Sequence, residues 1–309
     1  MSHGMWIMLI GSLVGVSCAL VGSFLILRRL AMLGDAISHS VLPGIVIAFM
    51  LTGSRNTMPM LIGAGALGVF TAFLTDALNR HGRLQSDAAI GVTFTWLFAI
   101  GVILVSAYAD YIDLDVDCVL HGEILFAPFD AWEWGGRDIG PRAFWMLAGV
   151  TIVNLLFITL GYKQLKLCTF DPGLAATIGI NVSLWHYLLM GLVSVTTVGA
   201  FESVGAILVV AFIIVPPNAA YLLTDRLSLM IVLACLIGVA SAVGGYALAY
   251  VLDSSIAAAM AVVSGACFLL AALLSPSHGL LGYLLHGRRI SQPAPVSDAP
   301  LPEVDVRTR

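Results

Sequence analysis

The 309-residue sequence is short of charge. Asp, Glu, Lys and Arg make up 10% of it, whereas a soluble domain of this length usually carries roughly 25%. Lysine occurs only at Lys163 and Lys166, and the net charge of -4 leaves no basic stripe, so no nucleic-acid partner is expected. Apolar residues make up 60% of the sequence, which is more than a soluble fold of this length could bury away from water. This composition indicates a protein whose solvent is the lipid bilayer.

The sequence also lacks the common signatures of enzymes and cysteine-based sites. Its five cysteines are far apart and form no C-x-x-C, which argues against a zinc knot or a disulfide framework. There is no G-x-x-x-x-G-K-[ST], H-E-x-x-H or G-x-S-x-G, so the chain cannot cradle ATP phosphates by itself and shows no zincin or serine-hydrolase site. We expect no catalytic activity and no permanently bound cofactor.

Long apolar runs are what the sequence does contain. A membrane-spanning helix needs roughly 20 apolar residues, and nine runs approach that length. The sixth and seventh runs are separated only at Glu202, so one of them could be a partial helix, leaving eight full spans. The predicted fold is therefore an all-α, polytopic transmembrane bundle of eight or nine spans. The runs are about 5–27, 34–52, 58–78, 87–107, 144–162, 184–201, 203–222, 228–250 and 256–275.

The distribution of basic residues predicts that the N-terminus lies outside the cell. The first run has no positive segment before it and is followed by Arg28 and Arg29, which argues against a cleaved signal peptide. With the N-terminus outside, the cytoplasmic segments hold 11 of the 14 basic residues, as the positive-inside rule requires. We predict an inner-membrane protein with a transmembrane domain over 1–285 and a disordered, proline-rich cytoplasmic tail over 286–309.

Two loops are long enough to carry function. The outer segment 108–143 is acidic, and its apolar piece Cys118–Phe129 is predicted to lie along the interface as a short helix. Its acidic residues, together with Glu202 at the outer end of a later helix, form a candidate cation entrance. Alternatively, the segment is a solvated loop that binds a partner protein. The candidate entrance residues are Asp113, Asp115, Asp117, Glu123 and Glu202.

The inner loop 163–183 contains the signals of a short helix. Asp171 can cap it, Pro172 suits its first position and Gly179 can end it. A short capped helix on the cytoplasmic side is typical of a segment to which a partner protein binds.

One pair of residues is suited to metal chemistry. Asp35 and His39 are four residues apart near the start of the second run, so on a helix they share one face. A carboxylate and an imidazole can bind one divalent cation, the carboxylate suiting manganese and the imidazole zinc or iron. Alternatively, Asp35 is only a helix cap and His39 bonds a neighbouring helix. Because ionisable residues within spans are costly and usually functional, we favour the metal role.

The stretch from Arg28 to Gly44, RRLAMLGDAISHSVLPG, resembles the signature of the metal-specific ABC-3 permeases, the membrane subunits of manganese, zinc and iron importers. Similar motifs follow in the same order, and the resemblance covers about residues 5–285. The DAISHSVLPG form is closer to the manganese and iron members than to the zinc members. The further motifs are SDAAIG at 86–91, DLDVDCVLHGEI at 113–124, GINV at 179–182 and SVGAILVV at 203–210.

The resemblance implies a set of partners and roles. Two permease subunits, identical or related, would pair around a central path in which Asp35 and His39 contact the transported divalent metal. A cytoplasmic ABC ATPase dimer would dock on the loop at 170–180, and an extracytoplasmic metal-binding protein would deliver the ion. The implied ATPase-coupling residues are Asp171, Pro172, Gly173, Ala176 and Gly179.

Two rival functions stay open on the sequence alone. A stand-alone secondary transporter or channel for divalent metal would work without any ATPase and would not need the 170–180 loop. An intramembrane enzyme could use Asp35 and His39 as acid and base, but it would need a third chemical group that the sequence does not provide.

Overall fold

A computed structural model describes residues 3–53, 57–82, 84–108, 124–125, 127–129, 131–134 and 137–275 of the chain. Within these ranges, nine helices or helix pairs are long and apolar enough to cross a membrane. The predicted transmembrane helix bundle is therefore confirmed, with the larger of the two span counts. The orientation, with the N-terminus outside, stays a prediction from the charge distribution.

Twelve α-helices and two short strands make up the described elements. The second span consists of two helices, and two short helices lie between the fifth and sixth spans. In chain order the elements are α1 His3–Leu27, α2 Ala31–Ser40, α3 Leu42–Thr52, α4 Thr57–Gly82, α5 Ser86–Tyr108, β1 Ala131–Trp134, β2 Arg137–Pro141, α6 Arg142–Leu160, α7 Tyr162–Phe170, α8 Pro172–Thr177, α9 Val182–Val204, α10 Ala206–Leu223, α11 Leu227–Leu252 and α12 Ile256–Leu274.

The sixth and seventh spans are two separate full helices. Helix α9 has 23 residues and α10 has 18, so neither needs to be a partial span. The chain changes direction at Gly205, whose φ of +80° lies in the region that glycine adopts without steric cost. The boundary between the two spans therefore lies at Gly205, three residues after Glu202, where the sequence suggested it.

Helix α1 is the centre of the bundle. Its most apolar window is 72% buried, against 22% for α6 and for α12, which present most of their surface outward. Gly15 of α1 and Gly238 of α11 face each other, and a Cβ built on either would lie 2.9 Å from the other's backbone. Small residues allow this close approach, which is a main source of helix association in lipid.

The outer loop differs from the prediction. Its described part contains a 3₁₀ turn at Ala127–Phe129 and an antiparallel pair of strands, β1 and β2, with Ala131 opposite Pro141. We predicted no strand. Of the predicted interfacial helix over Cys118–Phe129, the structure describes a turn at 124–125 and the 3₁₀ turn at 127–129, so this helix stays a prediction. Outside the lipid, the backbone groups of a short loop can satisfy one another by hairpin pairing. Residues 118–123 of that piece lie outside the described residues.

Several predicted features fall on residues that the structure does not describe or describes in part. The tail 286–309 and the candidate entrance residues Asp113, Asp115, Asp117 and Glu123 lie outside the described residues. Glu202 lies in the last turn of α9.

Candidate metal-binding site

Helix α2 brings Asp35 and His39 together on one face. The helix begins at Ala31, so Asp35 lies in its second turn, and the alternative that Asp35 is only a helix cap is wrong. Nε2 of His39 lies 3.6 Å from Oδ1 of Asp35. His39 is eight residues beyond Ala31, which places it about 12 Å along the helix axis and well inside the 22-residue span.

The Asp35–His39 face is the open side of a helix that is otherwise buried. The side chains of His39 and Asp35 are 36% and 40% exposed in the single chain, and Met32, one turn earlier, is 59% exposed. Ala36, Ile37 and Ser40 are buried against the rest of the bundle. An ionisable pair is costly against acyl chains, so this face is suited to a polar passage or a second subunit.

The second span is interrupted one residue after His39. Helix α2 ends at Ser40 and α3 begins at Leu42, with Pro43 in its first turn. Proline has no N–H, so it cannot donate to the His39 carbonyl four residues earlier. Gly44 donates to the carbonyl of Val41 at 2.9 Å. The break therefore removes the usual helical donor from the His39 carbonyl, and the C-terminal end of α2 directs partial negative charge toward the site.

Helix α5 forms an aromatic wall beside the imidazole. The ring centroids of Phe94 and Phe98 each lie 6.2 Å from that of His39, at interplanar angles of 41° and 82°. These rings restrict the imidazole on one side while its other side stays open with Asp35.

A hydrogen bond fastens the break to helix α4. The hydroxyl oxygens of Ser40 and Thr71 lie 2.8 Å apart, and Thr71 also contacts the carbonyl of Leu67 at 2.8 Å. Both hydroxyl groups are buried. This contact holds the end of α2, and hence His39, at a fixed place against the bundle.

The candidate site has two suitable side chains, Asp35 and His39, among the described residues. Among the residues that the structure describes, no cluster of three or more His, Cys, Asp or Glu residues is present. Selective metal sites in proteins usually have at least four ligands. The open face of α2 can gain the missing ligands from a second chain that packs there.

Helix α8, which the charge distribution places on the cytoplasmic side, has the local structure that its sequence predicts. Oδ1 of Asp171 accepts a hydrogen bond from the N–H of Leu174 at 2.9 Å, and Pro172 is the first helical residue. Gly179, with φ +90°, ends the helix, and the N–H of Ile180 donates to the carbonyl of Ala175 at 3.0 Å. The predicted capping is confirmed, while the coupling role of these residues stays a prediction.

Helix α8 and its flanks expose an apolar surface. Phe170, Leu174 and Ile178 are 60%, 47% and 64% exposed, although they belong to none of the nine spans. The predicted coupling residues Asp171, Pro172, Gly173, Ala176 and Gly179 are also exposed. An apolar surface outside the lipid is typical of a protein-docking site.

Sequence reasoning missed the break in the second span and its surroundings. Pro43 inside an apolar run was the available signal, since proline in a helical pattern ends or kinks the helix. No periodicity identifies Thr71 as the partner of Ser40, or Phe94 and Phe98 as neighbours of His39, because these contacts depend on how the helices pack.

Comparison with known proteins gives consistent matches along the chain. The ABC 3 transport family matches residues 3–275. The chain is 54% identical to the manganese transport system membrane protein MntD of Bacillus subtilis, over 91% of this chain and 95% of that protein. It is 45% identical to the zinc transport system membrane protein TroD of Treponema pallidum, over 90% of this chain and 75% of that protein.

A solved structure has the same fold. The structure of PsaBC from Streptococcus pneumoniae in complex with Fab superposes with a TM-score of 0.76 and 31% sequence identity, covering 92% of this chain and 96% of the matched one.

Proposed function

The chain belongs to the ABC 3 transport family, and from this premise we propose that it is the membrane permease subunit of an ABC importer that moves a divalent metal cation into the cytoplasm. It is a multi-pass protein of the bacterial inner membrane. Manganese is the favoured substrate over zinc and iron, since the higher identity is to a manganese transport protein and one of the two side-chain ligands is a carboxylate.

The Asp35–His39 pair is the observation that carries the proposal. The two groups lie 3.6 Å apart on a partly exposed face inside the second span, and the carbonyl of His39 has lost its helical donor to Pro43. A cation that enters the membrane loses part of its hydration shell. The Asp35 carboxylate, the His39 carbonyl oxygen and the His39 imidazole nitrogen replace the lost water ligands. A second permease subunit, identical or related, presents the same groups from the opposite side and completes the ligand set.

The energy for transport comes from a separate ATPase dimer. The chain has no phosphate-binding glycine loop of its own, and α8 offers exposed apolar side chains outside the spans for docking. Closure of the ATPase dimer displaces α8, and the bundle opens alternately to the two sides of the membrane. The residues with this coupling role are Asp171, Pro172, Gly173, Ala176 and Gly179.

An extracytoplasmic metal-binding protein delivers the ion at the outer face. The acidic loop residues Asp113, Asp115, Asp117 and Glu123, together with Glu202, attract the cation there. A stand-alone transporter or channel is not favoured, because it would have no use for the exposed, doubly capped helix α8.

Uptake assays in proteoliposomes test the proposal. The complete transporter would be reconstituted with its ATPase and metal-binding protein, and ATP-dependent manganese uptake measured with zinc and iron as competitors. Asp35→Ala and His39→Ala should each abolish uptake while membrane insertion and ATPase docking survive. Matched controls are Asp225→Ala and His81→Ala, which remove the same chemical groups at exposed positions outside the site. Normal uptake in both site variants would reject the metal role.

A further inference from the structure

Arg28 connects the end of α1 to the helix that precedes α8. Its Nε donates a hydrogen bond to Oγ1 of Thr169 on α7, at 3.1 Å. The hydroxyl of Thr169 donates in turn to the carbonyl of Leu165 at 2.7 Å. Because a guanidinium can only donate hydrogen bonds, the Thr169 hydroxyl oxygen must be the acceptor for Arg28.

The α7 side of this contact is rigidly joined to α8. A single residue, Asp171, separates the two helices. Its N–H donates to the carbonyl of Leu167 at 2.9 Å, which ends α7, and its carboxylate caps α8 through the N–H of Leu174. Asp171 is therefore hydrogen-bonded to both helices, and Thr169 lies two residues before it. A displacement of α8 should move Thr169 as well.

The Arg28 side is joined just as tightly to α2. The N–H of Arg29 donates to the carbonyl of Ile26 at 3.0 Å, and the N–H of Leu30 donates to that of Leu25 at 2.9 Å. Arg29 takes the left-handed conformation, with φ +57°. This pair of bonds closes the end of α1 in a Schellman motif, and α2 begins at the next residue, Ala31. Arg28 is thus fixed to the start of the helix that carries Asp35 and His39.

The interface holds an unpaired donor and an unpaired acceptor. Nη2 of Arg28 and Oε1 of Gln164 on α7 are both buried, and neither has a hydrogen-bond partner among the residues that the structure describes. Gln164 lies one helical turn before Cys168, whose thiol interacts electrostatically with Arg28, so the amide lies on the same side of α7. A buried, unpaired polar group is costly, so the interface between Arg28 and α7 keeps hydrogen-bonding capacity that the present state does not use.

We propose that Arg28 is the positioning residue that transmits displacement of α8 to the metal helix α2, through its hydrogen bond with Thr169 of α7. The proposal rests on the proposed function, since it requires an ATPase that displaces α8. In the present state Arg28 holds Thr169. When α8 moves, α7 moves with it, Thr169 displaces Arg28 through their hydrogen bond, and the closed turn between α1 and α2 moves Asp35 and His39.

The coupling ratio of the reconstituted transporter tests this role. Manganese ions imported per ATP hydrolysed would be measured for Thr169→Val, which removes the acceptor at nearly constant volume, and for Thr169→Ser, which keeps it. Thr169→Val should lower the ratio about tenfold, the factor that loss of one hydrogen bond to a charged group represents. Thr169→Ser should retain the wild-type ratio, and the manganese concentration for half-maximal uptake should stay unchanged in both.

Two further variants separate transmission from mere stability. Gln164→Leu on the same helix leaves the Thr169 contact intact and, as the matched control, should retain the wild-type ratio and basal ATP hydrolysis. The double variant Arg28→Gln, Thr169→Val should be no worse than Arg28→Gln alone. A wild-type ratio in Thr169→Val, a loss in Gln164→Leu equal to that in Thr169→Val, or additive losses in the double variant would overturn the proposal. Absence of ATP-driven uptake in the wild-type complex would instead reject the proposed function.

Discussion

Gly44 of α3 and Gly63 of α4 lie backbone against backbone just beyond the break in the second span. A Cβ built on either glycine would come within 2.6 Å of the carbonyl oxygen of the other. The contact allows α3 to pack closely on α4, on the C-terminal side of the Asp35–His39 pair in the second span. The position of α3 therefore depends on glycine at both Gly44 and Gly63, since a side chain at either would prevent this close approach.

Gly44→Ala and Gly63→Ala should separate α3 from α4, because the added methyl group meets backbone that cannot move aside. Overpacking of this kind costs about 1–3 kcal/mol. We expect a lower melting temperature for the detergent-solubilised protein and weaker manganese uptake. Gly91→Ala on α5 and Gly149→Ala on α6 are the controls, since a Cβ at either position has no heavy atom within 4 Å. Equal melting temperatures in all four variants would contradict the packing argument.

The spans were predictable because lipid imposes one simple requirement on them. Each must be apolar for about 20 residues, and that pattern is visible along the sequence. The predicted run 228–250 corresponds to Leu227–Leu252, and the run 87–107 to Ser86–Tyr108. The capping of α8 was also predictable, because the effects of Asp171, Pro172 and Gly179 involve only residues that are close to them in the sequence.

The surroundings of the site were not predictable from one sequence. Asp35 and His39 could be paired because they are one turn apart on the same helix. The contact of Ser40 with Thr71 joins residues 31 positions apart, and that of Arg28 with Thr169 joins residues 141 apart. Neither follows from periodicity, since both depend on which helices become neighbours in the bundle.

The reactivity of Cys168 should depend on pH and on Arg28. Burial raises the pKa of this thiol above its ordinary value, and the positive charge of Arg28 acts in the opposite direction. The thiol should therefore stay protonated and slow to react at neutral pH, and react faster as the pH rises through its pKa. Arg28→Gln removes the charge that favours the thiolate, so the midpoint should move to higher pH.

Iodoacetamide labelling in inside-out vesicles measures this midpoint, in a protein whose other cysteines are replaced by alanine. Lys163→Gln is the control, because it removes an exposed positive charge from the same helix, α7. A lower midpoint in Arg28→Gln than in the wild type would show that the guanidinium does not act on Cys168.

Helix α8 should lose its ATPase partner when its exposed apolar side chains become charged. Leu174 and Ile178 are 47% and 64% exposed, so Leu174→Asp and Ile178→Asp create no buried charge within the chain. In the complex each would place an unpaired carboxylate in an apolar contact, where burial of a charge is strongly unfavourable. We expect neither variant to retain the ATPase during affinity purification, while the permease itself inserts and melts normally.

The cap of α8 gives a graded version of the same test. Asp171→Ala removes the acceptor for the N–H of Leu174, which costs about 1 kcal/mol of helix stability, and Asp171→Asn retains an acceptor at nearly the same place. ATPase retention should fall in Asp171→Ala and persist in Asp171→Asn. Leu84→Asp is the control, since Leu84 is 40% exposed but lies before α5, away from α8 in the sequence. If Leu174→Asp and Ile178→Asp bind the ATPase as the wild type does, the docking surface lies elsewhere, and Arg28 loses the displacement that it is proposed to transmit.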